Sequence, residues 1–121
     1  MHYQSTVEYE SRTCAGVKYT LRRVSLASRL ELLQRVQHYV NKLDFLNAGN
    51  TTKESYEAAV VEKEIERAYL DWGLLGVNGL VIDNAAASAA TLVEKGPEAL
   101  TREILIALKQ ELGLKEDERK N

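Results

Sequence analysis

A long helical pattern enters the stretch Asp71-Trp72-Gly73-Leu74-Leu75-Gly76-Val77-Asn78-Gly79-Leu80-Val81-Ile82-Asp83, and a different kind of structure leaves it. The stretch holds the one Trp of the chain and three of its seven Gly. Gly73, Gly76 and Gly79 supply the backbone freedom to stop a helix and turn the chain. Asn78-Gly79 is a two-residue turn signal, because both residues tolerate positive φ. Leu80-Val81-Ile82 is short, apolar and β-branched, the composition of a buried strand. A phosphate-binding loop would need a dinucleotide fingerprint or a Gly-Lys-Ser/Thr ending, and the spacing here matches neither. The stretch therefore predicts a helix stop, a turn and a core strand.

The N-terminal segment has a different period. Residues 3–12 put Tyr3, Ser5, Val7, Tyr9 and Ser11 on one face and Thr6, Glu8, Glu10 and Arg12 on the other, as in a half-buried strand. Residues 17–23 repeat this, with Val17, Tyr19 and Leu21 against Lys18, Thr20 and Arg22. Thr13-Cys14-Ala15-Gly16 lies between them and ends in Gly, so a hairpin is predicted. Facing residues of a hairpin point the same way, so the two apolar sets must share a face. The register pairing Tyr9 with Tyr19 and Val7 with Leu21 meets that condition and sets Glu10 opposite Lys18.

Ser25 is a suitable N-cap for a first long helix. Leu26, Leu30, Leu33, Val36, Val40, Leu43 and Leu46 follow at steps of three and four and predict one continuous apolar stripe. Glu31 and Arg35 lie one turn apart and can pair. The helix should end near Asn47, with Gly49 as its C′ residue. Thr51 and Glu54 fit a capping box for a second helix. That helix carries Ala58, Val61, Ile65, Ala68, Trp72 and Leu75 on its stripe, flanked by Tyr56, Val60 and Tyr69. The short connection from Ala48 to Thr51 makes the two helices antiparallel neighbours. Leu33 and Ile65 sit mid-stripe, so truncating either to Ala should cost roughly 2–4 kcal/mol. Beyond Ile82, Asp83-Asn84 predicts a turn, and Ser88 caps a short helix over 89–95. Gly96-Pro97 ends that helix and opens the next, with Glu98 favourable at its start. Leu100, Ile104, Ala107, Leu108 and Leu112 form the last stripe, and Gly113 stops it. Residues 114–121 are a charged, mobile tail.

At 121 residues the chain has the length of one domain, 1–113, followed by that tail. A formal charge of −2 gives no drive towards nucleic acid or an anionic membrane surface. Cys14 is the only cysteine, which excludes an internal disulfide and fits a reducing, cytoplasmic setting. Met1-His2-Tyr3-Gln4 lacks the layout of a signal peptide, and no apolar stretch spans a bilayer. His2 and His38 have no acid partner or second ligand at metal spacing, and Cys14 has no base near it in sequence. The mixed run Glu62, Lys63, Glu64, Glu66 and Arg67 fits a solvated helix face better than paired acid/base carboxylates. No catalytic residue, cofactor or metal is assigned.

Three segments together carry a resemblance: Trp72-Gly73-Leu74 running into Gly79-Leu80-Val81-Ile82-Asp83; Gly96-Pro97-Glu98-Ala99-Leu100 followed by Glu103-Ile104; and the closing Leu114-Lys115-Glu116-Asp117-Glu118-Arg119-Lys120-Asn121. Gly16-Val17-Lys18-Tyr19-Thr20-Leu21-Arg22-Arg23-Val24-Ser25 fits as well. The chain resembles small phage and prophage proteins of the tail-assembly-chaperone type, with departures at Asn84 and Lys115. The resemblance implies a non-catalytic cytoplasmic helper that binds an elongated helical tape-measure protein during tail assembly. A regulatory adaptor is the alternative, and a small enzyme without a recognisable motif comes third. The expected fold is α+β and mostly helical, with an N-terminal hairpin and a short strand near 80–82 packed with two long antiparallel helices and C-terminal helices. A binding protein needs exposed apolar surface or a segment that orders on binding. Tyr69 and Trp72 read first as a core aromatic pair; the candidates are that helix end, if Trp72 is only partly covered, and Leu114, Glu116 and Arg119 in the tail.

Overall fold

The computed structural model describes residues 1–113. The elements are β1 (Thr6–Glu10), β2 (Lys18–Arg22), α1 (Leu26–Asn47), α2 (Thr52–Gly73), β3 (Leu74–Asn78), β4 (Val81–Ile82), β5 (Ala85–Ala86), α3 (Ala89–Lys95) and α4 (Glu98–Glu111). The fold is α+β and mostly helical, as expected. Contacts divide the chain into two compact units: Met1–Val24 with everything from Leu70 onward, and Ser25–Tyr69. No linker composition marks the second boundary, because it falls inside α2.

The first unit is built on a three-stranded antiparallel sheet in the order β1-β2-β3. Its hairpin has the register that parity demands, with Val7 opposite Leu21, Tyr9 opposite Tyr19 and Glu10 opposite Lys18. Tyr19 and Leu21 of the central strand are buried. The third strand was not expected. β3 follows α2 with no loop and pairs with β2, with a register shift between Thr20 and Leu21. Leu75, expected on the helical stripe, is a half-exposed residue of this strand.

The glycines of this stretch therefore act differently from the expectation. Gly73 is the last helical residue, and a Cβ there would lie 2.3 Å from Leu108 Cδ2, a fully buried side chain with nowhere to go. Its role is close approach rather than helix termination. Gly79 does turn the chain: its φ is +81°, and a Cβ would meet the Gly16 carbonyl oxygen at 2.1 Å. Asn78, however, belongs to β3 opposite Lys18. The two-residue turn is Asp83-Asn84, with φ of 51° and 67°, joining β4 to β5. Two left-handed residues match the twist of a hairpin, which the short Asp and Asn side chains tolerate. Val81 is 67% exposed while Leu80 and Ile82 are partly covered, so residues 80–82 form an edge ribbon with one face outward and not a fully buried strand.

Ser88 caps α3 by accepting from the Thr91 N–H, and the chain then passes Gly96 to Pro97, the residue just before α4. Leu100, Ile104, Leu105, Ala107, Leu108 and Leu112 of the last helix are buried, as are Leu92 and Trp72. Arg22 donates from Nε to the Trp72 carbonyl at 2.9 Å, and its guanidinium lies 5.8 Å from the indole centroid.

The second unit is the helical hairpin. Ser25 and Ser28 cap α1 reciprocally. Thr51 and Glu54 form the expected capping box, Glu54 N–H donating to Thr51 Oγ1 at 3.0 Å and Thr51 N–H to Glu54 Oε1 at 3.2 Å. Gly49 does not adopt the left-handed C′ conformation; a Cβ there would meet the Glu54 carboxylate at 2.0 Å, so its smallness makes room for the box. Leu46, Ala58 and Val61 form the core, with Tyr39, Leu43 and Ile65 against it. Residues late in α1 thus pack on residues early in α2, the pairing of an antiparallel hairpin. Glu31 and Arg35 pair at 2.9 Å on the surface.

The expected face of α1 needs correction. Ser28, Leu32, Val36 and Leu46 are buried, whereas Leu26, Leu30, Leu33 and Val40 are 88%, 54%, 57% and 41% exposed. The expected single stripe merges two. In chemical denaturation, Leu108→Ala should lose about 2–5 kcal/mol, as buried Leu truncations do. Leu33→Ala should stay within about 0.5 kcal/mol of the parent, as surface changes do. A Leu33→Ala loss as large as that of Leu108→Ala would mean that the outer face of α1 is covered in the folded protein.

Candidate functional site

Ten of the 22 residues of α1 are large and apolar, more than one face of a helix can bury. The inner stripe, Leu32, Val36, Tyr39, Leu43 and Leu46, accounts for five of them. At 100° per residue, Leu26, Leu30, Leu33 and Val40 form a second stripe about a third of a turn away. With Gln37 included, its steps are four, three, four and three, the spacing of a seam that meets another helix. Gln34 and Asn41 flank it, and the ion pair of Glu31 with Arg35 lies round the other side of the helix. Between Leu26 and Val40 the seam is thus apolar and interrupted by one amide, with Arg29 on its other flank and Asp44 continuing its line one turn past Val40. The remaining large apolar residue of α1, Phe45, is exposed beyond its end.

A second exposed face runs along α2. Tyr56, Ala59, Val60, Lys63, Glu64 and Arg67 line an open trough of about 500 Å³. Lys63 pairs with Glu66 at 2.9 Å. One helix supplies every lining residue, so the trough offers a surface to lie on and not an enclosure for a small molecule.

In the first unit the polar groups converge on Glu103 of α4. Its Oε1 accepts from Ser11 Oγ at 3.0 Å, from the Arg12 N–H at 3.2 Å and from the Thr13 N–H at 2.9 Å. Its Oε2 accepts from the Tyr19 hydroxyl at 2.8 Å. Two turns further on, Glu111 accepts from the Tyr9 hydroxyl. The two tyrosine rings stack with centroids 5.6 Å apart. Burial alone would push Glu103 up, but the bonds from Thr13, Tyr19 and Ser11 favour the ionised form and hold it below the usual carboxylate range. Burial pushes Tyr9 up to about 12, helped by the bond to Glu111 and its charge. Tyr19 is raised further, by burial first and then by Glu103. A carboxylate surrounded by donors and held ionised is a poor general acid, and its lone pairs are occupied. The cluster docks α4 onto the hairpin.

The residues proposed from sequence fare unequally. Trp72 is 1% exposed, so the indole is a core side chain and the helix end is not an aromatic docking surface. The reason is the turn into β3, which folds the last residues of α2 into the first unit. Tyr69 is partly covered, and burial raises its hydroxyl pKa. Leu114, Glu116 and Arg119 lie outside the described residues. His38 packs on Tyr39 with ring centroids 3.9 Å apart. Cys14 sits half-buried in the hairpin loop, its N–H donating to Ser11 Oγ at 3.0 Å. Among the described residues no group of three or more His, Cys, Asp or Glu could hold a metal, and no helix is long and apolar enough to cross a membrane. Sequence reading missed the outer seam, although the surplus of apolar residues in α1 was a usable signal. Glu103 gave none, because its partners lie 84 to 92 positions away.

The cluster predicts two limbs in the stability-versus-pH curve. Glu103 contributes in full above its unfolded value of about 4.5, and that contribution is lost as pH falls through the lower folded value. The tyrosines contribute in full below their unfolded value of 10.0, and for Tyr9 that contribution is lost as pH rises through about 12. Thermal melts of the wild type should show both limbs, and Tyr19→Phe should flatten the alkaline one. An unchanged alkaline limb in Tyr19→Phe would remove the tyrosine from this role. Comparison with protein-family models, curated proteins and solved structures finds no match to this chain.

Proposed function

We propose that this protein is a non-catalytic binding protein that receives an amphipathic helix on the outer seam of α1. The observation that carries this reading is the uncovered stripe Leu26, Leu30, Leu33 and Val40 on a helix whose other apolar stripe is already buried. Exposed leucines at steps of four and three cost solubility unless something covers them. A partner helix with the same spacing covers such a seam knob-into-hole, and Gln37 within it favours the register that gives the amide a polar partner. The resemblance of the sequence to tail-assembly chaperones supports a specific occupant, an elongated helical tape-measure protein, and a role as a phage or prophage assembly helper in the host cytoplasm. The trough along α2 provides a second surface for a long partner.

The test is co-expression with the long helical tail-cluster protein, followed by co-purification and affinity measurement. Leu30→Glu with Leu33→Glu should weaken binding about tenfold or more, the effect of losing about 1.4 kcal/mol, while the melting temperature stays near that of the parent. Glu is a good helix former on an exposed face, so the fold is spared. Failure of the intact protein to form a complex would count against the assembly role. Concentration-dependent self-association lost in the double variant would assign the seam to a second copy of the chain instead.

A further inference from the structure

The donors around Glu103 are all held by contacts of their own. Ser11 Oγ accepts from the N–H groups of Thr13 at 3.2 Å and Cys14 at 3.0 Å, so its proton is left to point outward. Ser11 N–H donates to the Val17 carbonyl at 2.8 Å and Val17 N–H to the Cys14 carbonyl at 3.2 Å, closing the loop on itself. Gly16, with φ of +80°, makes that closure possible. Tyr19 is fixed in the central strand and stacked on Tyr9. Apart from the pairing of Tyr19 with Val77 of β3, these restraints lie within residues 9–19. The result is a concave set of two backbone N–H groups and two hydroxyls aimed at one point, and the group found there is a carboxylate. The hydroxyls belong to Ser11 and Tyr19, 8% and 3% exposed, whereas Arg12 and Thr13 are exposed, so one wall of the site is buried and the other faces solvent, where a charged acceptor can approach.

We propose that the loop Ser11–Thr13 together with Tyr19 is a carboxylate-binding site in its own right, with Glu103 as its built-in ligand, and that a carboxylate supplied from outside takes the place when Glu103 is withdrawn. α4 does not depend on this contact alone, because Leu100, Ile104 and Leu108 are fully buried beneath it. Glu103 therefore acts as a latch on a helix that is otherwise seated. A carboxylate at a chain terminus or on an acidic side chain has the chemistry to compete for the same donors.

Glu103→Ala removes a fragment the size of acetate, so acetate is the probe. Thermal melts of the wild type and of Glu103→Ala are compared in sodium acetate and in sodium chloride of equal ionic strength at neutral pH. Glu103→Ala should melt lower than the wild type in chloride and recover by a few degrees, saturably, in acetate. The wild type should melt alike in both salts, because its site is filled. Adding Ser11→Ala to Glu103→Ala should abolish the recovery. Equal responses of wild type and Glu103→Ala, or recovery that survives loss of the Ser11 hydroxyl, would overturn the proposal. Should Glu103→Ala fail to fold in chloride, Glu103→Gln keeps the volume and loses the charge. The Arg12 and Thr13 amide protons should then move upfield from their wild-type positions, and unmoved resonances would overturn the proposal equally.

Discussion

At Gly73 the backbone passes so close to Leu108 that no side chain fits between them. Much of the first unit follows from this contact. It lets α2 run straight into β3 without a loop, and it brings the strand against β2. It also seats α4, whose buried stripe runs from Leu100 through Ile104 to Leu108. Trp72, one residue earlier, is buried with its carbonyl fixed by Arg22 from β2. Helix, strand and terminal helix are thereby tied at one point by packing, and Glu103 ties the same helix to the hairpin by charge-assisted hydrogen bonds. The two attachments differ in kind. One depends on shape and is insensitive to pH, and the other depends on ionisation.

The helical hairpin follows a different logic. Its ends are fixed by side-chain caps at Ser25 and Thr51, and its middle by the Leu46, Ala58 and Val61 cluster. α1 carries more apolar surface than that cluster absorbs. Its exposed leucines fit the proposed binding role, and their spacing suits a helix better than a strand or a small ligand. Gln37 matters in this light, because an amide in an apolar seam selects among partners more than it adds affinity.

How far the sequence reveals all this depends on the range of the interactions concerned. The hairpin register was legible because parity allows one answer, and the caps at Ser25, Thr51 and Ser88 because each is a contact over three residues. The terminal stripe on α4 was legible because its apolar residues occupy one face only. β3 was not, since Leu74-Leu75-Gly76-Val77-Asn78 is short, contains Gly and continues a helix without punctuation. The inner face of α1 was misread because two stripes interleave at steps of three and four, and periodicity alone cannot separate them. Trp72 could have been core or anchor on sequence grounds, and only the turn into β3 decides it. The Glu103 cluster joins the two ends of the chain, beyond the reach of any local pattern.

The order of strands in the sheet has a consequence for synthesis. β2 pairs with β1 almost at once, but its other edge waits for β3, which begins at Leu74. Everything from α1 to the end of α2 must leave the ribosome first. Closing so long a loop costs only about (3/2)RT ln n in entropy, and a helical hairpin formed from local contacts shortens it further. During that interval the open edge of β2 presents Tyr19 and Leu21 beside unpaired backbone groups, a template for pairing with another chain. Slow translation across the helical hairpin would lengthen the exposure, and the yield of soluble protein should depend on how quickly the ribosome delivers the residues that follow Gly73.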